Sequence, residues 1–461
     1  NPDLYLMDWG ADSTTAILNH WFDEEELGFD PEKFQYWSMD NEPEIWSGTH
    51  DDVMENQIAA DAFMELYFAV AKEAREKYPE IRLCGPVVAN EWQWYKYADE
   101  NLEINGRYYS WIEYFLKRIA MEEETSGIRL LDLVDLHWYP SESAGADVVQ
   151  LHRVFFDRNY NYPGANGVKT INGGWDNSQT KEYIFGRISD WLNEHFGPDH
   201  GIGIGISEFG SNTSDPNLNS IVYASMMGTF ANEGVELFTP WSWKTGMWET
   251  LHLFSRYAHE ISTASVSSDE ATLWGYTTIN ANADSLTIIL VNRDVSESRN
   301  VTVNISGFSV PDGNYSSLQL ASLPASETFV SHTTNALQAG TLAVSGNSFT
   351  VQVPALSTTA ILLEGTGTIN ASGEWVSGRS RVKIYPNPAD HTLNLHLESD
   401  IKFPSQVTVF DRSGMLIDSF ECNSLHGNEL TLNTKQYQEG LYILKITNRS
   451  VTQAVKFQIV R

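Results

Sequence analysis

Cysteine is nearly missing from this 461-residue chain, which holds only Cys84 and Cys422. Two residues so far apart can build neither a disulfide framework nor a Cys-rich metal site. Secretion stays open, because a chain of this size buries enough surface to fold without covalent staples. Long hydrophobic runs are missing too, with none near the roughly 18 apolar residues of a membrane span. Basic residues are few: 29 Lys and Arg stand against 61 Asp and Glu, a net charge of −32. That balance argues against nucleic acid, whose phosphates attract Lys and Arg clusters, and against an anionic membrane surface. It suits a neutral substrate and a mutually repelling, soluble surface. The chain does not open with Met, and it has no basic start followed by an apolar segment. It therefore reads as a mature protein or a fragment. Several catalytic signatures are also missing: there is no P-loop, no H-E-x-x-H and no G-x-S-x-G. Gly201-Ile202-Gly203-Ile204-Gly205-Ile206 lacks the spacing of a phosphate loop, and Gly alternating with Ile has a strand's period. No internal repeat is evident.

What is present is enough apolar and aromatic material, 42% and 12% of the chain, for substantial cores. The length predicts two to four domains. Over the first 255 residues strand-like and helix-like segments alternate. Strands are expected at 34–39, 81–86, 133–139, 202–207 and 235–241. Helices are expected from 51 to 78, with Ile58, Ala62, Leu66 and Ala69 on one face, and at 109–121, 181–196 and 220–232. Repeated units of this kind imply a parallel sheet, open or closed into a barrel. From about 262 the texture changes to short alternating strands with polar turns, which predicts an antiparallel β-sandwich to 364. Residues 365–378, rich in Gly, Ser and Thr, read as a linker, and 379–461 as a third, all-strand domain. The charge is uneven. That last segment has ten basic and eight acidic residues, leaving 19 against 53 in the first 378.

The informative string is Met39-Asp40-Asn41-Glu42-Pro43-Glu44-Ile45-Trp46, directly after a predicted strand. Pro43 turns the chain away and leaves Glu42 at the strand's C-terminal rim, where barrel enzymes keep their chemistry. Ile206-Ser207-Glu208-Phe209-Gly210 repeats the arrangement. A single strand-end glutamate is more often a cap or an ion-pair partner. Two of them are what glycosidic cleavage requires: one protonated to serve the leaving oxygen, one ionised to attack C1. A pyranose also offers an apolar face for stacking on flat rings. Thirteen of the fifteen tryptophans fall in the first 255 residues. Trp46, Trp92, Trp94 and Trp138, on or just past strand ends, are candidates to line a cleft, though each is as readily a core residue. Glu208 ends the third strand after the one that carries Glu42, and one further strand follows. If that last strand is the eighth, the pair falls on strands 4 and 7, the pattern of the clan A glycoside hydrolases, which are retaining (β/α)8 barrels.

Within that clan the chain resembles glycoside hydrolase family 44, the endoglucanases and xyloglucanases, over roughly residues 1–365. Asp40-Asn41-Glu42-Pro43-Glu44-Ile45-Trp46 with Thr49-His50, then Asp135-Leu136-His137-Trp138-Tyr139-Pro140 and Ser207-Glu208-Phe209, carry the resemblance. It implies Glu42 as acid/base, Glu208 as nucleophile and Asn41 on the sugar 2-hydroxyl. His137 and Tyr139 would orient the nucleophile, with Trp241 or Trp243 as the floor of that subsite. It further implies a monomeric β-1,4-glucan hydrolase that requires no cofactor. A structural calcium stays open, since relatives carry calcium and no EF-hand-like spacing occurs here. Only about 33 residues precede the Glu42 strand, so the expected fold is a (β/α)8 barrel lacking its first three strands, and with them the clan's subsite arginine. That predicts an N-terminally truncated and inactive chain.

In the last segment, Ile384-Tyr385-Pro386-Asn387-Pro388-Ala389, Val407-Thr408-Val409-Phe410-Asp411-Arg412-Ser413-Gly414 and Gly440-Leu441-Tyr442-Ile443-Leu444-Lys445-Ile446 resemble the Ig-like C-terminal sorting domain of the type IX secretion system. This implies export by that machinery to a secreted or surface-attached destination; the competing reading is a carbohydrate-binding sandwich. Two other readings of the whole stay open: a clan A mannanase or xylanase, and a non-catalytic surface glycan-binding protein.

Overall fold

The computed structural model describes residues 7–169, 175–178, 180–367, 382–387, 389–397, 405–411, 416–422, 429–447 and 452–459. The first region is a curled parallel sheet covered by helices. Its strands are β1 (Tyr36–Ser38), β2 (Arg82–Val88), β3 (Leu133–Trp138), β4 (Gly203–Phe209) and β5 (Leu237–Phe238), hydrogen-bonded in chain order. The helices are α1 (Ala11–Phe22), α2 (Ala60–Lys77), α3 (Trp111–Ser126), α4 (Ile184–Phe196), α5 (Pro216–Glu233) and α6 (Met247–Tyr257). Successive parallel strands need a crossover, and the helices supply it. The sheet curls, and side chains bridge its two edges. Tyr36 on β1 donates to Glu236 beside β5 at 2.7 Å, and Arg82 on β2 reaches the same carboxylate at 2.9 Å.

Three details depart from the sequence reading. The buried face of α2 is Phe63, Met64, Tyr67, Phe68, Ala71 and Ala74, whereas Leu66 is 54% exposed. The aromatic stripe removes more apolar area from water than the Ile58–Ala62–Leu66–Ala69 stripe would, so it takes the inside. The strand expected over 235–241 shrinks to two residues, because Pro240 has no N–H to give the ladder and Trp241 already lies beyond it. Helix α6 was not anticipated.

The second region carries a six-stranded antiparallel sheet. Its strands are β6 (Ile261–Thr263), β7 (Leu273–Ile279), β8 (Ser285–Asn292), β9 (Gly313–Leu320), β10 (Gln338–Val344) and β11 (Ser357–Glu364), in the order β6-β7-β8-β11-β9-β10. Both faces of β8 are buried, which explains its unbroken apolar run. Ile289 and Val291 join the core of the first region, while Ile288 and Leu290 join a second core with Phe349 and Val353. The first contact is close. A Cβ on Gly228 of α5 would lie 2.3 Å from the Tyr276 ring of β7, so only glycine admits that ring.

The third region has a three-stranded and a four-stranded antiparallel sheet around Leu393, Leu395, Val407, Val409, Leu444 and Phe457. Most of the expected linker, from residue 368, lies outside the described residues, as do Pro388 and residues 412–415 of the tail motifs. Among the described residues no helix is long and apolar enough to cross a membrane.

Candidate active site

Glu42 lies in the loop that leaves β1. Its backbone N–H donates to the Val87 carbonyl of β2 at 2.9 Å. Both residues have left-handed backbones, Glu42 at φ 48° and Val87 at φ 59°. For a β-branched residue that conformation is an outlier, and each such residue costs on the order of 1–3 kcal/mol. The surroundings hold the loop against that cost. Trp46 Nε1 donates to the Asn41 carbonyl at 2.8 Å. Gln57 takes the Ser47 N–H at 3.1 Å and donates to the Pro43 carbonyl at 2.6 Å. Glu44, almost fully buried, accepts from Trp111 Nε1 and, at 3.3 Å, from the Ala89 N–H. Burial pushes the Glu44 carboxyl up to about 8, partly offset by those hydrogen bonds, so it sits in its turn as a neutral acid.

The sheet register slips by one residue twice, and both slips lie at this site. Between β2 and β3, Pro86 pairs with Asp135 and Val88 with Leu136, leaving Val87 as the surplus residue. Between β3 and β4, Leu136 pairs with Ile206 and His137 with Glu208, leaving Ser207 as the surplus residue. Such irregularities re-aim side chains beside active sites. Here the second slip turns both Ser207 and Glu208 toward His137. His137 Nδ1 is 2.9 Å from Glu42 Oε1 and 3.4 Å from Glu208 Oε2, and its Nε2 is 3.1 Å from Ser207 Oγ. Tyr139 donates its phenol to Glu208 Oε2. Burial and that hydrogen bond hold the phenol well above its ordinary range, so it remains a donor. Tyr139 is itself fixed by Asn90, which accepts its N–H at 3.0 Å, and Gly210 leaves room for the ring.

Four of the predicted residues therefore converge: Glu42, His137, Tyr139 and Glu208. Asn41 is exposed at the same rim. Trp241 is 67% exposed, and its N–H donates to the Phe209 carbonyl, next to Glu208. Trp243 is also exposed, with one face stacked on Trp248 at 3.9 Å. Trp92 is part-exposed, with the Lys96 ammonium over its ring. The stacking role expected for Trp46, Trp94 and Trp138 does not hold, because all three are core residues. Trp46 packs edge-on against Phe63, Trp94 donates to the His137 carbonyl at 3.1 Å, and Trp138 packs against Phe155, Tyr162 and Phe209. Sequence reading gave no role to Glu44, Asp135 or Ser207. The alternation of Asp135, His137 and Tyr139 on one face of β3 was the signal available for Asp135.

Among the described residues, two groups bring three ligand atoms within 4.8 Å of one another: Glu42–His137–Glu208 and Glu113–Glu194–His195. Calcium takes six to eight oxygens, which neither set supplies. The second is already neutralised by Arg107, 2.6 Å from Glu113 and 2.7 Å from Glu194.

The model of glycoside hydrolase family 44 matches residues 10–142, and that of the secretion system C-terminal sorting domain matches residues 383–461. The chain is 23% identical over 340 residues to the β-mannanase/endoglucanase A of Caldicellulosiruptor saccharolyticus, covering 66% of this chain and 25% of that protein. It is 22% identical over 356 residues to endoglucanase A of Paenibacillus lautus, covering 72% of this chain and 48% of that protein. The chain thus spans between a quarter and a half of these relatives. Among solved structures, a family 44 endoglucanase from Clostridium thermocellum superposes with a TM-score of 0.63 at 20% identity, covering 77% of this chain and 70% of the other. A Paenibacillus polymyxa family 44 xyloglucanase with xyloglucan gives 0.64 at 16% identity and the same coverages. These likenesses establish the fold.

Proposed function

We propose, for a chain that carries a glycoside hydrolase family 44 domain followed by a C-terminal sorting domain, that it is a retaining endo-β-1,4-glucanase or xyloglucanase of plant cell-wall glucans. One observation carries the reading: Glu42 and Glu208, 166 positions apart in the sequence, bring carboxylate oxygens within 4.8 Å of each other around His137. Retaining enzymes hold their carboxyl groups about 5–5.5 Å apart, whereas inverting enzymes leave about 6.5–9.5 Å for a water. In the first step Glu208 attacks C1, the glycosidic C1–O bond breaks, and Glu42 gives its proton to the leaving oxygen. In the second, Glu42 takes a proton from water, the water oxygen attacks C1, and the C1–Glu208 bond breaks.

Asn41 serves the 2-hydroxyl, His137 and Tyr139 hold the carboxylates, and Trp241 and Trp243 offer rings to the sugar. We read the five-stranded sheet of residues 1–261 as strands four to eight of a clan A barrel, 262–364 as its β-sandwich and 379–461 as the Ig-like sorting domain. The sorting domain gives the protein a secreted or surface-attached destination, and we take the type IX machinery and a β-glucan as its partners and a monomer as its working form.

The test is reducing-end release by the full chain, taken at the protein's natural length, by Glu42→Gln and by Glu208→Gln on carboxymethylcellulose, xyloglucan, mannan and xylan. Each substitution is expected to lower turnover by about 10²-fold or more, and the first-formed anomer to be β. A Gln variant that works at the parent rate refutes the assignment. Because one relative bears a β-mannanase name, faster release from mannan than from either glucan would favour a mannanase instead.

A further inference from the structure

We infer that Asp135 and Ser207 are positioning residues that fix the tautomer of His137, and through it the proton that Glu42 delivers. The inference rests on the proposed function and names two side chains that reading does not use. Asp135 is fully buried, two residues before His137 on the same face of β3. Its Oδ1 accepts the Ser207 N–H at 2.8 Å, and its Oδ2 is buried with no hydrogen-bond partner among the described residues. Ser207 is the surplus residue of the β3–β4 slip, and its Oγ lies 3.1 Å from His137 Nε2.

A hydroxyl has one hydrogen. Turned toward the Asp135 carboxyl, it leaves lone pairs for a His137 Nε2–H, and Nδ1 then faces Glu42 at 2.9 Å and Glu208 at 3.4 Å. One proton is shared at that end. On Glu42 it is available to a leaving oxygen, and Glu208 keeps its charge for attack. On Nδ1 it makes an imidazolium between the two carboxylates, neutralises the nucleophile and leaves the acid without its proton. Asp135 enters through the hydroxyl it holds and not through its charge, which by itself would favour that imidazolium. Burial pushes its carboxyl up to about 6, with Ser207 and the His137 charge pulling it back. The titratable groups that face His137 are Glu42 from the β1 loop, Glu208 from β4 and Asp135 from its own strand. Tyr139 acts on it through Glu208, and Glu44 through Glu42.

The test compares the full chain with Asp135→Asn and Ser207→Ala, each first checked for the parent melting temperature. The readouts are kcat/KM against pH on an unactivated cello-oligosaccharide and on 2,4-dinitrophenyl β-cellobioside, whose leaving group departs without protonation. Both variants are expected to lose about 10- to 100-fold on the oligosaccharide and almost nothing on the activated glycoside. In Asp135→Asn the high-pH limb should move to lower pH, since removing a negative charge eases loss of the shared proton; Ser207→Ala keeps that charge and is read by the comparison of substrates. Equal losses on both substrates, or an Asp135→Asn limb that stays with the parent, overturn the inference. Should Asp135→Asn not fold, Ser207→Ala decides alone, because it removes the hydroxyl and keeps the backbone N–H. Glu42→Gln in the same series separates the two ideas. Retained turnover there sinks the hydrolase itself, while lost turnover there with equal losses on both substrates in the other two variants sinks only the relay.

Discussion

Replacing Glu44 by glutamine should change how stability depends on pH, with a sign the structure dictates. Burial lifts this carboxyl from an ordinary 4.5 to about 8. The folded protein therefore keeps a proton that the unfolded chain has released. The stability contributed by neutral Glu44 is complete below about pH 4.5 and is lost as pH rises through about 8. At about 1.4 kcal/mol per pH unit across that window, the loss is on the order of 5 kcal/mol. Glutamine cannot ionise, but it offers one acceptor oxygen where Trp111 and the Ala89 N–H now use two. Leaving one donor unpaired costs about 1 kcal/mol or more. Glu44→Gln should thus be the less stable protein near pH 5 and the more stable one near pH 8.5, with the curves crossing in between. Urea unfolding at several pH values, followed by tryptophan fluorescence, reads the right region, since thirteen of the fifteen tryptophans lie in the first 255 residues. Asp135, raised to about 6, and Glu182, raised to about 9, shift stability in the same direction but are common to both proteins, so the difference curve isolates Glu44. A constant offset at every pH would refute the reasoning.

Tyr139→Phe removes the phenol that donates to Glu208 and should lower kcat by about tenfold with little change in KM, measured by steady-state kinetics on one glucan. Trp241→Ala removes a ring that is mostly in water, so the melting temperature should hold while KM for long oligosaccharides rises about 3- to 10-fold. Gly228→Ala forces a methyl into the Tyr276 ring and should cost about 1–3 kcal/mol, seen as a lower urea midpoint. An unchanged midpoint would mean that the α5–β7 contact is looser than described.

The alternation of strand and helix, and the two strand-end glutamates, were legible in the sequence because each rests on local pattern: Pro43 after Glu42, His137 and Tyr139 two apart. The cleft role read for Trp138 failed for a reason the same pattern contains. If His137 and Tyr139 face the site, Trp138 between them must face the helices, and it does. The buried face of α2 was misjudged because the spacing of Ile58, Ala62, Leu66 and Ala69 fits a helix as well as that of Phe63, Tyr67 and Ala71; only packed volume chooses between them. Asp135 was signalled only by its alternation with His137 and Tyr139, while Glu44 and Ser207 were invisible as actors, since nothing local says that a turn carboxyl will be buried or that a strand will carry one residue too many.

That surplus has a consequence for how such a site can be made or lost. In an even ladder, neighbours point to opposite faces, so Ser207 and Glu208 could never both look at one imidazole. Deleting the codon for Ser207 alone would restore the even ladder, keep every acidic group in the chain and leave the histidine without its serine. A change one amino acid long would thus unmake the Ser207–His137 contact, with no substitution at Glu42 or Glu208.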